Sequence, residues 1–161
     1  MDYLTTFKHK HQYTLTHRKI YDLFLDGDHE PVAFTAFANE TRSYASNSLV
    51  IFDGIVSNVG NHYSTDTSIF TCPYNGLFLF SLSFNAYDKD DMEAEIMLEN
   101  EGLVMVLANS NGFSQASGIV LTECNVGDII WVRCVRGGDS MYGNQTYRWS
   151  HISGTIIQAY V

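Results

Sequence analysis

Beyond Pro31 the hydrophobic residues come in short runs separated by Gly, Asn, Asp and Ser. The runs have the length of strands, and several alternate apolar with polar residues, the period of a sheet with one buried face. Strands are predicted over 32–38, 49–58, 68–72, 77–87, 92–99, 103–108, 117–124, 129–135 and 147–161. Phe78, Phe80, Leu82 and Phe84 fall on one face; so do Met92, Ala94, Ile96 and Leu98, with Asp91, Glu93, Glu95 and Glu99 opposite. Gly127-Asp128 reads as a hairpin turn. No helical stretch separates the strands, which excludes parallel βαβ units and predicts an all-β sandwich.

Helical signals occur only before Pro31. Thr16 is placed as an N-cap, Leu15 and Ile20 as a hydrophobic staple, and Gly27 as a stop. His17, Arg18 and Lys19 in the first turn and Asp22 and Asp26 near the end oppose the helix dipole, so a short helix stays an open alternative. The chain therefore divides into an arm, 1–31, and a globular domain, 32–161.

Composition agrees with that division. Hydrophobic residues make up 45% of the 161 positions, aromatics 14% and charged residues 17%, enough apolar side chains for one core. Eighteen acids against nine bases give a formal charge of −9, which argues against a nucleic-acid partner. Within residues 1–20, Lys8, Lys10, Arg18 and Lys19 against Asp2 alone give +3, complementary to the −12 of the remainder. No apolar run is long enough to cross a bilayer, so no membrane insertion is expected. The start has no basic region followed by an apolar stretch, so the chain reads as cytosolic or as a mature form. The sequons at Asn39 and Asn144 lean towards secretion.

Catalytic and metal chemistry is poorly provided for. Three cysteines, Cys72, Cys124 and Cys134, permit at most one bridge and have no zinc-site spacing. The stretch 112–116 (Gly-Phe-Ser-Gln-Ala) misses a nucleophile elbow, because Ala ends it and a strand follows. The acidic run from Asp88 fails as an EF-hand and reads as a solvated strand face that discourages edge pairing. His9, His11, His17 and His29 lie in or beside the basic arm, where Lys8 and Lys10 repel a cation. His62 and His151 read as half-buried strand-end residues.

The spaced residues Phe52, Asn58, Tyr63, Phe70, Gly76, Phe78 and Phe80 resemble the aromatic pattern of the globular C1q-type domain, a trimeric jelly-roll head. Val32-Ala33-Phe34-Thr35-Ala36 resembles that family's first strand. The runs 116–121 and 126–132 resemble its last hairpin. Leu82 replaces the final aromatic, and Ile152-Ser153-Gly154-Thr155 has lost both aromatics of the family's ending. The resemblance covers 32–161 and implies a ten-stranded antiparallel jelly roll that forms a homotrimer through an apolar face. It also implies that all three cysteines point inward as small buried hydrophobes, one bridge being possible. Some members bind calcium through an Asp just before the strand at Gln115; here Ser114 stands there, so no cofactor is expected.

Stalkless members of that family resemble secreted lectins that bind microbial or sialylated glycans, and the loop 136–148 suits a glycan partner. Tyr142 and Tyr147 offer ring faces to the C–H side of a sugar, and Asn144 and Gln145 supply paired donors and acceptors. Arg136 or Arg148 offers a fork for a sialic-acid carboxylate. The alternative is that Tyr142 and Tyr147 pack at the sandwich end or in the trimer interface and the arginines pair with local acids. Two other functions remain open: a cytokine-like ligand using Asp91, Glu93 and Glu95 as an acidic patch, and a self-assembling extracellular component.

Overall fold

The computed structural model describes residues 29–87, 91–109, 114–136 and 140–160. Most of the arm, with the predicted helix of 16–27 and the lysines and early histidines, lies outside these residues. Twelve strands occur among the described residues, where ten were expected. They are β1 (Ala33–Phe37), β2 (Glu40–Ser43), β3 (Gly54–Val59), β4 (Tyr63–Ser64), β5 (Ile69–Thr71) and β6 (Gly76–Ala86), then β7 (Met92–Leu98), β8 (Glu101–Ala108), β9 (Ser114–Cys124), β10 (Ile129–Cys134), β11 (Ser140–Asn144) and β12 (His151–Ala159). No helix is present among them. One sheet runs β2-β11-β6-β12-β1-β3, with β9 on the other side of β6; the second runs β4-β5-β10-β7-β8. All pairings are antiparallel.

Alternation along β6 explains the sandwich. Phe78, Phe80, Leu82 and Phe84 are fully buried between the sheets, as predicted, while Leu77, Leu79 and Ser81 point the other way. From the facing sheet, Phe70 meets Phe80 edge-on at 5.7 Å; Phe34 of β1, in the same sheet as β6, stacks between Phe70 at 4.9 Å and Tyr63 of β4 at 4.7 Å. Burying each ring is worth about 2–3 kcal/mol, and ring pairs add about 1 kcal/mol. The Tyr63 hydroxyl donates to the Phe52 carbonyl at 2.9 Å, so its one polar atom is satisfied inside the core.

Three expectations are corrected. Of 49–58, only the end joins a ladder; Val50 and Phe52 enter the core from an irregular segment held by Val50 N–H to Val132 O and Phe52 N–H to the Ser68 hydroxyl. Gly127 does sit in a tight turn, at φ 92°, with Asp128 N–H donating to Asn125 O. The turn is not a hairpin, because β9 pairs β6 in one sheet while β10 pairs β5 and β7 in the other. Finally, β7 is not an edge: it lies between β10 and β8, and its Glu95 and Glu93 pair with Arg133 of β10 and with Arg136 just beyond it.

Candidate functional site

The site begins with a strand that composition hides. Ser140–Asn144 forms β11, part of the stretch expected to be loop. It pairs with β2 (Ser140 with Ser43, Met141 with Arg42) and touches the end of β6 at Ala86. The Ser43 and Ser140 hydroxyls meet at 2.8 Å, and Gly143 N–H donates to the Thr41 hydroxyl at 3.2 Å. A Cβ on Gly143 would stand 2.1 Å from the Glu40 carbonyl oxygen, so only glycine permits this approach. Behind β2, Arg42 donates to Asp53 at 2.8 Å and Asn39 N–H donates to its other oxygen at 3.1 Å. Burial raises the Asp53 pKa, but the hydrogen bond from Arg42, the backbone donors and the cation outweigh it and hold this carboxyl below its usual range.

Met141 is buried in the core, so Tyr142 points to the opposite face of the sheet. There it stacks with Tyr87 at 5.8 Å and lies tilted against Trp149 at 5.4 Å; Trp149 in turn stacks on Tyr147 at 4.9 Å with 15° between the planes. The four rings form a continuous row, Tyr87–Tyr142–Trp149–Tyr147. Its outer end is open: Tyr147 is 61% exposed and Trp149 38%.

The turn after β11 sets this geometry. The side-chain oxygen of Asn144 accepts from Thr146 N–H at 2.8 Å and Tyr147 N–H at 3.0 Å, and Arg148 N–H closes onto the Asn144 carbonyl at 3.0 Å. Asn144 thus shapes the turn, and its amide nitrogen faces the Tyr142 hydroxyl at 3.4 Å. Arg148 takes a left-handed φ of 53°, donates through Nε to the Gln145 carbonyl and lays its guanidinium 4.8 Å from the centre of the Phe37 ring. Gln145 is exposed beside it.

Five of the six residues read as a ligand site, Tyr142, Asn144, Gln145, Tyr147 and Arg148, therefore lie on one strand and one turn. Arg136 belongs elsewhere. It follows β10 and forms an ion pair with Glu93 of β7, on the second sheet. Arg133 likewise holds Glu95 at 2.5 Å. These pairs neutralise two of the three acids expected to form an acidic patch. Tyr87 and Trp149 complete the row and were not singled out from the sequence. The signal for Trp149 was its place two residues beyond Tyr147, on the edge of an aromatic-rich turn.

The same sheet face carries a second feature. In register across it, Leu121, Leu79, Thr155, Ala33 and Val59 form one row and Ile119, Ser81, Ser153, Thr35 and Ser57 the next. Ile119 is 67% exposed and Leu121 57%, with exposed Ile157 close by at a bulge of β12. Leu79 and Tyr87 are eight residues apart along the β6 direction, about 26 Å. The first row is apolar but for Thr155, the second sets Ile119 beside four hydroxyl side chains, and both lie at the end of this face opposite the aromatic row. Ser114 opens β9, and no group of three or more His, Cys, Asp or Glu able to hold a metal occurs among the described residues. Nor, among these residues, is any helix long and apolar enough to cross a membrane.

Comparison with known proteins places this architecture. Complement C1q and tumor necrosis factor-related protein 9A of Homo sapiens is 28% identical over 116 residues, covering 69% of this chain and 33% of that protein. The protein 9 of that series from Mus musculus is 30% identical over 95 residues, covering 57% of this chain and 27% of its own length. The chain thus spans about a third of the curated relatives it matches. Among solved structures, the globular domain of zebrafish complement 1qA aligns with a TM-score of 0.64 at 16% identity, over 80% of this chain and 99% of that one. The Eiger TNF of S. frugiperda aligns at 0.70 and 12%, over 83% and 96%, and murine APRIL at 0.63 and 14%, over 80% and 100%; these likenesses concern the fold alone. The model of the C1q domain family matches residues 33–157, and the chain belongs to that family.

Proposed function

We propose that this chain is a secreted, homotrimeric C1q-domain lectin that recognises glycans through the exposed end of its aromatic row. The observation that carries the reading is the stacked pair of Tyr147 and Trp149, open to solvent on a turn braced by Asn144. Planar rings held at a fixed tilt suit the apolar face of a pyranose, and a pre-set turn lowers the entropy lost on binding. Gln145 and the Arg148 fork flank the rings as hydrogen-bonding groups, with Arg148 placed for an acidic sugar such as sialic acid. Arg136, committed to Glu93, is given no part in this site.

Trimerisation supports the reading energetically. In the rows at that end of the face, Ile119, Leu121 and Val59 are apolar side chains that a monomer leaves in water. Three copies packed through those rows would present three weak sites together and raise avidity by orders of magnitude. The net charge of −9 disfavours nucleic acid as the ligand.

A second reading, a cytokine-like ligand for a protein receptor, draws on exposed Met105 and Leu107 of β8, at the free edge of the second sheet. Binding of the full chain to cells before and after enzymatic removal of surface glycans separates the two. Loss of binding supports the lectin; retention supports a protein receptor. The third reading, a self-assembling component docked through its basic arm, rests on residues 1–28, which lie outside the described ones.

A further inference from the structure

Two thiols at the end of the sandwich remote from the aromatic row take no part in the proposed recognition. Cys72 follows β5 in one sheet, and Cys124 closes β9 in the other; both are buried in the core. The backbone holds the two segments together. Cys72 N–H donates to the Asp128 carbonyl at 2.8 Å and Gly127 N–H donates to the Cys72 carbonyl at 2.8 Å, so the turn leaving β9 is folded onto the residue after β5. From the far side, Cys124 is in register with Gly76, four residues beyond Cys72. The two side chains meet in this enclosure, thiol to thiol within hydrogen-bonding reach. Cys134 is otherwise engaged, its thiol donating to the Arg136 carbonyl at 3.0 Å.

We propose that Cys72 and Cys124 are a disulfide-forming pair that joins the two sheets across the base of the sandwich, Cys134 remaining a free thiol. The chemistry is thiol–disulfide exchange with a small-molecule disulfide such as glutathione disulfide. Cys124, which adjoins the exposed turn 125–127, supplies the attacking thiolate; the hydrogen bond from Cys72 lowers its pKa, while that bond and then burial raise the Cys72 pKa. Its sulfur attacks one glutathione sulfur and expels the other glutathione as thiolate, leaving a mixed disulfide. Cys72, once deprotonated, attacks the Cys124 sulfur and expels the second glutathione. The protein sulfurs lose two electrons, glutathione disulfide gains them, and the two thiol protons end on the two released glutathiones. The exposed turn of Asn125, Val126 and Gly127 is the gate by which the oxidant reaches these sulfurs.

The test is made on the full chain incubated with glutathione disulfide, then unfolded in guanidinium with iodoacetamide and digested without reductant. The expected products are a peptide pair linked through Cys72 and Cys124 and alkylation at Cys134 alone. The thermal midpoint should stand above that of the dithiothreitol-treated protein by on the order of 10 °C, since the bridge closes a long loop. Cys134→Ser should keep the bridge. Alkylation of all three cysteines, a glutathione adduct persisting on Cys72 or Cys124, a bridge to Cys134, or loss of the bridge in Cys134→Ser would overturn the proposal.

Discussion

The hydroxyl of buried Ser150 donates to the carbonyl of Tyr142 at 2.5 Å and accepts the backbone N–H of Asn85 at 3.1 Å. One side chain therefore ties the end of β6 to the strand that presents the aromatic row. Replacing it by alanine leaves a buried N–H and a part-buried carbonyl without this partner. Ser150→Ala is expected to lose about 1–3 kcal/mol in urea unfolding, and glycan binding should weaken with it as Tyr142 loosens. An unchanged midpoint would mean that the turn is held by other contacts.

The pair of Arg42 and Asp53 makes stability depend on pH in a defined direction. Because the Asp53 carboxyl is held below its ordinary pKa when folded, the unfolded chain binds its proton first as pH falls. The stabilisation is complete above the unfolded carboxylate value of about 4 and is lost as pH drops through the lower, folded value. Asp53→Asn should cost about 1 kcal/mol at neutral pH, and the gap to the unsubstituted protein should close in acid. A gap that stays constant to low pH would contradict the assignment. Asparagine still accepts the Asn39 N–H through Oδ1, so the loss falls on the Arg42 contact of β2.

Exposed Ile119 and Leu121 make a separate prediction about assembly. Glutamate at Ile119 or Leu121 would place like charges from several protomers against one another in a desolvated interface. Sedimentation should show trimers for the unsubstituted chain and single subunits for Ile119→Glu, with the same far-ultraviolet spectrum. Single subunits for the unsubstituted chain at all concentrations would remove the face from the account.

Side-chain periodicity was legible where one face is buried. Phe78 to Phe84 and Met92 to Leu98 announced β6 and β7 because large apolar side chains recur at every second position, with Ser81 and Ser83 in β6 and Glu93 and Glu95 in β7 between them. The edge pair β2–β11 was not legible. Glu-Thr-Arg-Ser has no apolar residue and Ser-Met-Tyr-Gly-Asn is turn chemistry; what makes them strands is each other, through Ser43–Ser140 and Gly143 against Glu40, about a hundred residues apart. The turn at Gly127 was correctly read as a turn, but local pattern carries no record of which sheet each flanking strand joins. In the candidate site, the tyrosines and Arg148 stood out by residue type. Arg136 was misplaced because its partner, Glu93, comes from a strand 43 residues earlier.

The central claim is that the open end of the aromatic row binds sugar, and a glycan array tests it most directly. The unsubstituted chain should bind a defined set of glycans, and Trp149→Ala and Arg148→Ala, each shown to sediment as the parent does, should lose that binding at least tenfold. Binding by both variants equal to that of the parent, or no glycan bound by the parent at all, would contradict the account.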